Sequence, residues 1–296
     1  MLGKEHILST VAIAISLIII MIFQHFLTIT TSITTQQAFS YIVKLPKIDY
    51  IYLALFLFAM ILASTAPDID VEQPESVVKR RSFLASFWFT IVKYIAYLPM
   101  ASLFFLSKNE NKAVGHRKIF HSLYGAISYT ISIVIIFIIF MSLFLFLRNA
   151  TSSTASINGT TINEYVSTSV SLIKNHWNFV FAFLIGSFIG FIAHLFEDSL
   201  TVSGIVYLPF ITNIGLKGRL RTGSKEFYET EHVRFFSKSK FGMIMIWVFN
   251  LIFIWGYFHY SLYVLSFSES LLIYVGGLII FMVIFAGLKV AKFERS

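Results

Sequence analysis

Long apolar runs separated by short polar stretches set the pattern of this chain. The apolar runs cover 7–29, 50–66, 82–106, 118–147, 176–200, 241–260 and 270–288, with polar stretches at 30–49, 67–81, 107–117, 148–175 and 201–240 and a short tip at 261–269. A hydrocarbon core of about 30 Å takes roughly 20 helical residues to cross, so these runs have the length of spanning helices. None shows the period-two alternation of an outer-membrane barrel strand. The pattern predicts an all-α polytopic membrane protein, with 1–296 forming a single transmembrane domain.

One run differs from the rest. Segment 82–106 carries Lys93 near its middle and Pro99 later, and both are costly in a lipid-facing helix. Read as a re-entrant or interfacial hairpin that enters and leaves on one side, it leaves about six transmembrane helices and puts both termini in the cytoplasm. Of the 23 Lys and Arg, this arrangement puts 18 inside; Lys44, Lys47, Arg148 and Lys174 lie outside, and Lys93 sits in the hairpin. That split obeys the positive-inside rule. It makes 201–240 a basic cytoplasmic loop and 148–175 an extracytoplasmic loop. The latter carries Asn149-Ala150-Thr151 and Asn158-Gly159-Thr160, glycosylation acceptor patterns that are read only outside the cytosol. A seven-span arrangement with the N-terminus outside places 16 inside and 6 outside, so charge alone does not choose between the two.

Composition narrows the function classes. The chain is 57% hydrophobic and only 13% charged, with mean hydropathy +0.78, whereas a soluble domain is about a quarter charged. The net charge of +8 reads as orientation and contact with anionic membrane lipid. Nucleic acid is not an expected partner, because no polar domain carries a basic face. With no cysteine, thiolate metal sites are excluded and any metal must use His, carboxylate or water. The run at 7–29 is too long for a signal-peptide core and lacks a small-residue cleavage site, so it is expected to be a retained span.

Ionisable side chains in or beside spans are expensive and mark function by default. Four groups stand out: His6 before the first span; Pro67-Asp68-Ile69-Asp70 at the end of the second; His116-Arg117-Lys118-Ile119-Phe120-His121-Ser122 opening the fourth run; and His194 and Asp198 ending the fifth, with Thr201, Gly204 and Pro209 beyond. Six spans bring all of them to one membrane face. Seven spans strand Asp68 and Asp70 across the membrane from the others, which decides for six.

The spacings suit metal binding. His194 and Asp198 are four apart and share a helix face. Asp68 and Asp70 flank a helix end stiffened by Pro67, and His116 and His121 flank a helix start, where N–H groups favour anionic ligands. Asp68, Asp70, His116, His121, His194 and Asp198 form a sulfur-free ligand pool for one or two divalent ions, with zinc or manganese favoured and iron also compatible. Each group alone has a plainer reading: Asp68 and Asp70 as a helix stop, His194 with Asp198 as an interhelical pair. A lone His such as His6 has a plainer interfacial reading too, and whether it joins the site stays open; His25, His176, His232 and His259 read as interfacial, and Glu72 and Glu197 as solvated or supporting. Convergence on one face favours a shared metal site.

At these residues the sequence resembles the YdjM-like, LexA-regulated, membrane-bound metal-dependent hydrolases. The resemblance runs along most of the chain. It includes His6, the Pro-Asp-x-Asp of Pro67, Asp68 and Asp70, and the His-Arg-x-x-x-His-Ser of His116, Arg117, His121 and Ser122. It continues through His194, Asp198, Thr201, Gly204 and Pro209 to the stretch from Arg221 to Glu226. Lys118-Ile119-Phe120 departs from the Gly-Phe-Thr that often precedes the second His in that family. The resemblance implies a metal-dependent hydrolase. On that view Arg117 and Arg221 hold an anionic head group, Glu226 is a general base or a further ligand, and the substrate is a lipid or lipid-linked phosphoester met at the cytoplasmic face. Two rivals use the same ligands. One is a metal or proton transporter, against which the ionisable groups cluster at one face rather than near the midplane. The other is a non-catalytic scaffold whose metal staples helix ends.

Overall fold

The computed structural model describes residues 3–27, 46–67, 91, 95, 121–151, 162–209, 211–220, 239–260, 262 and 265–293. Among them the elements are α1 (Gly3–Leu27), α2 (Lys47–Ala63), α3 (Leu123–Thr151), α4 (Ile162–Asn175), α5 (Trp177–Ser199), β1 (Ile214–Lys217), α6 (Ser239–His259), α7 (Phe267–Phe285) and β2 (Lys289–Lys292). Five of the seven helices, all but α2 and α4, are long and apolar enough to cross a membrane. The 17-residue α2 lies among these spans, packed along α5. Six of the seven apolar runs of the sequence are therefore helices. Most of 82–106 lies outside the described residues; Ile91 and Ile95 pack against the core formed by α2, α3 and α5.

Helix directions follow from side-chain pairs. Ser16 donates to Asn250 Oδ1 at 2.5 Å, and further along both helices Phe23 meets Tyr257 with ring centroids 6.1 Å apart, so α1 and α6 run parallel. Tyr274 donates to the same Asn250 oxygen at 2.9 Å, while Phe281 packs on Phe249 at 5.5 Å, which makes α7 antiparallel to α6. Asn250 and its partners Ser16 and Tyr274 are buried, and in a bilayer such satisfied interhelical hydrogen bonds hold helices together where no hydrophobic force does.

The closest approach is between α2 and α5. A Cβ on Gly186 would collide with the Phe56 carbonyl, and one on Gly190 with the Met60 backbone. Small residues four apart let two helix backbones touch. Here Gly186, Gly190 and His194 recur at i, i+4 and i+8, and they face Phe56, Met60 and Ser64 in the same parallel order.

His6, Ser64, His121 and Asp198 thus gather at one end of the bundle. Pro67 and His121, on either side of the segment that contains the 82–106 run, both lie at this end. Beyond α7 the chain passes through Ala286, Gly287 and Leu288 into β2, which pairs antiparallel with β1 at the same end.

Two features differ from the sequence expectation. Segment 148–175, expected to be a loop, contains α4, which packs Tyr165 and Ser169 against Phe146 and Ser142 of α3. Its other positions are mostly polar and exposed, so its apolar stripe is narrow and its Ser and Thr content hides the helix. The β1–β2 ribbon has no signal in either four-residue strand. Gly204, in the left-handed region at φ 62°, lets the turn after α5 pass close to β1, since a Cβ there would press on Leu216 and Lys217.

Candidate metal centre

Four helix ends each supply part of one buried cluster. His6 comes from the start of α1, His121 from the turn before α3, His194 and Asp198 from the last turns of α5, and the Ser64 carbonyl from the end of α2. His6, His121, His194, Glu197 and Asp198 are all buried, none more than 1% exposed.

Local chemistry explains each placement. His121 precedes Ser122, whose Oγ accepts from Gly125 N at 3.4 Å at the start of α3, and Leu123 N donates to Tyr207 O at 3.0 Å, tying this turn to the segment after α5. Thr201 ends α5 by donating its hydroxyl to the Asp198 carbonyl at 2.7 Å, while its own carbonyl accepts from Gly204 N at 3.1 Å and Gly218 N at 2.9 Å. Thr201 and Gly204 therefore serve the turn that folds β1 back over the end of α5. Tyr207 lies beyond the span. Desolvation pushes its phenol up to about 12, outweighing a hydrogen bond with Ser199, so it stays protonated at neutral pH.

The imidazoles are oriented from outside the cluster. His194 Nδ1 donates to Ser64 O at 2.6 Å, and His6 Nδ1 lies 2.6 Å from Glu197 Oε2. The Ser64 carbonyl only accepts, so His194 carries a proton on Nδ1, and in both rings the Nδ1 contact points outward and turns Nε2 into the cluster. Those nitrogens converge on one carboxylate: His6 Nε2 is 3.5 Å from Asp198 Oδ1, His194 Nε2 is 3.5 Å from Oδ2 and His121 Nε2 is 3.9 Å from Oδ2. The His6 and His194 rings stack with centroids 3.9 Å apart.

These separations are long for hydrogen bonds. Ligands bonded at 2.0–2.2 Å around a tetrahedral ion stand about 3.4 Å apart, and the cluster has that spacing. His6, His194 and Asp198 each offer a ligand atom within 4.8 Å of the others, a group able to hold a metal ion. The outward hydrogen bonds to Glu197 and Ser64 are the kind that orient metal-binding imidazoles.

Of the six ligands expected from sequence, His121, His194 and Asp198 come together here. Asp68, Asp70 and His116 lie outside the described residues, as do Arg117, Arg221 and Glu226; the described chain stops at buried Pro67, next to Asp68. His6, which the sequence left open, is central to the cluster. Glu197 is not solvated; it supports His6. His176 and His259 are exposed, the latter stacked on Trp255 at 4.7 Å. The missed signal was Glu197 beside Asp198, since adjacent ionisable residues at a membrane edge need partners.

Fold and site together define a polytopic membrane protein with a buried histidine–carboxylate cluster where four helix ends meet. The chain belongs to the YdjM inner membrane protein family, whose family model matches residues 1–292. No curated protein and no solved structure matches it.

Proposed function

We propose that this chain is a membrane-embedded, metal-dependent hydrolase with its centre at the cytoplasmic face, acting on a lipid or lipid-linked phosphoester. The observation that carries the proposal is the convergence of three imidazole Nε2 atoms on Asp198 at 3.5–3.9 Å, with His6 and His194 held by outward hydrogen bonds. His6, His121, His194 and Asp198 would hold a zinc or manganese ion, with Asp68 or Asp70 available from the chain beyond Pro67. Structural zinc sites are typically built on cysteine, whereas histidine–carboxylate sets are typical of catalytic ones. Such an ion supplies Lewis-acid activation of water and of a phosphoryl or acyl oxygen. Glu226 would take the proton from the attacking water, and Arg117 and Arg221 would bind the anionic part of the substrate. Complete burial of the four ligands instead favours the scaffold alternative, in which the ion only joins helix ends.

Activity of the zinc- or manganese-loaded protein on a panel of phosphoester and acyl lipids separates the two. The hydrolase gives turnover that Glu226→Gln abolishes while metal content stays at the wild-type level. Metal at full occupancy with no turnover of any lipid in the panel would move the scaffold ahead. Glu197→Gln tests the support of His6. Loss of the carboxyl group behind His6 should weaken metal affinity 10–100-fold, read by competition with a chelating dye, and an unchanged affinity would remove Glu197 from the centre.

A further inference from the structure

We infer that the β1–β2 ribbon is a binding surface for anionic phospholipid head groups, formed by Lys217, Arg219 and Lys289. Lys217 and Lys289 face each other across the ribbon, one on each strand. Like charges in that position destabilise a strand pair unless a counter-charge joins them. Among the described residues, no carboxylate lies within ion-pair reach of either lysine or of Arg219. One step along, Arg219 N donates to Ala286 O at 2.9 Å, and the Arg219 side chain lies across Gly287. Gly287 takes φ 62°, and a Cβ there would collide with the Arg219 stem. Glycine thus clears the path that lays a third cation beside the lysine pair.

Position selects the occupant. Only Ala286, Gly287 and Leu288 separate the end of α7 from Lys289, so the ribbon sits where a spanning helix leaves the hydrocarbon, at the level of the lipid phosphates. Strand alternation puts the exposed Val290 (69%) and Ile214 (54%) on the opposite face of the ribbon from Lys217 and Lys289, and Ile211, 74% exposed, lies just before β1. A ribbon with a lysine pair on one face and exposed apolar side chains on the other suits the membrane interface, where the apolar groups reach acyl chains and the cations reach phosphates. Each such cation contributes about 1 kcal/mol next to an anionic leaflet, or about five-fold in affinity. This inference depends on the helices being spans and not on the metal centre.

The test uses the full chain in neutral detergent without added metal, with short-chain phosphatidylglycerol and phosphatidylcholine as matched probes. Wild type should prefer phosphatidylglycerol, and the preference should fall as salt rises from about 0.1 M to 1 M, where screening shortens from about 10 Å to 3 Å. Combined Lys217→Gln, Arg219→Gln and Lys289→Gln should remove most of the preference, up to roughly 100-fold, while Lys217→Arg with Lys289→Arg keeps it. A salt-independent preference, or a folded triple-Gln variant that keeps it, would overturn the inference. So would inorganic phosphate competing as well as the lipid, which would mark a free-anion site. If the triple variant does not fold, the salt series and the Arg variant decide. A chain that binds lipid this way but takes up no metal would sink the hydrolase proposal alone.

Discussion

Asp198→Asn should empty the metal centre. Asp198 is the common point of the cluster: its two carboxylate oxygens face the Nε2 atoms of His6, His121 and His194. The substitution keeps the shape but removes the negative charge and turns an amide donor toward nitrogens that must present lone pairs to an ion. Disturbing a group behind a ligand costs 10–100-fold in affinity, and losing the shared anionic ligand should cost more than about 100-fold. The effect is readable without any substrate. An ion that binds only the native state stabilises it by about 2.7 kcal/mol at 100 times its Kd, so adding zinc or manganese should raise the melting temperature of wild type and leave that of Asp198→Asn unmoved. Metal content near wild type in the variant, or no metal-dependent shift in wild type, would show that the histidines and Asp198 form only a polar cluster.

How much of this was legible in the sequence depended on how far each signal was local. The spans were legible because twenty apolar residues in a row have few other uses. The meeting of the second, fourth and fifth runs at one end was legible because an ionisable group beside a bilayer is costly unless it has a partner. The pairing of His6 with Glu197 was not, because it joins residues 191 positions apart. The ribbon was invisible for the same reason. Ile214 finds Lys292 across two spans, and four-residue strands carry too few positions for alternation to register. The glycines of α5 had a readable spacing, and their meaning appeared only once α2 was seen beside them.

Those glycines set up the second large effect. Gly190→Leu should both destabilise the fold and lose the metal, although Gly190 touches no ligand. A Cβ at this position has no room, because it would enter the Met60 backbone, and backbone cannot move aside as a flexible side chain does. The helices must separate or tilt. Overpacking a close contact costs 1–3 kcal/mol and occasionally more, and a whole leucine at a backbone-to-backbone contact should cost about 3 kcal/mol. One helical turn beyond lies the 2.6 Å bond from His194 Nδ1 to Ser64 O. Parting α2 from α5 breaks that bond, frees the imidazole to rotate, and takes its Nε2 out of line with Asp198. Gly276→Leu is the control, since a Cβ on Gly276 of α7 meets nothing within 4 Å. Thermal unfolding and metal content should both fall for Gly190→Leu, fall less for Gly190→Ala, and stay at the wild-type level for Gly276→Leu. Normal melting and full metal content in Gly190→Leu would mean that the contact between α2 and α5 does not position His194.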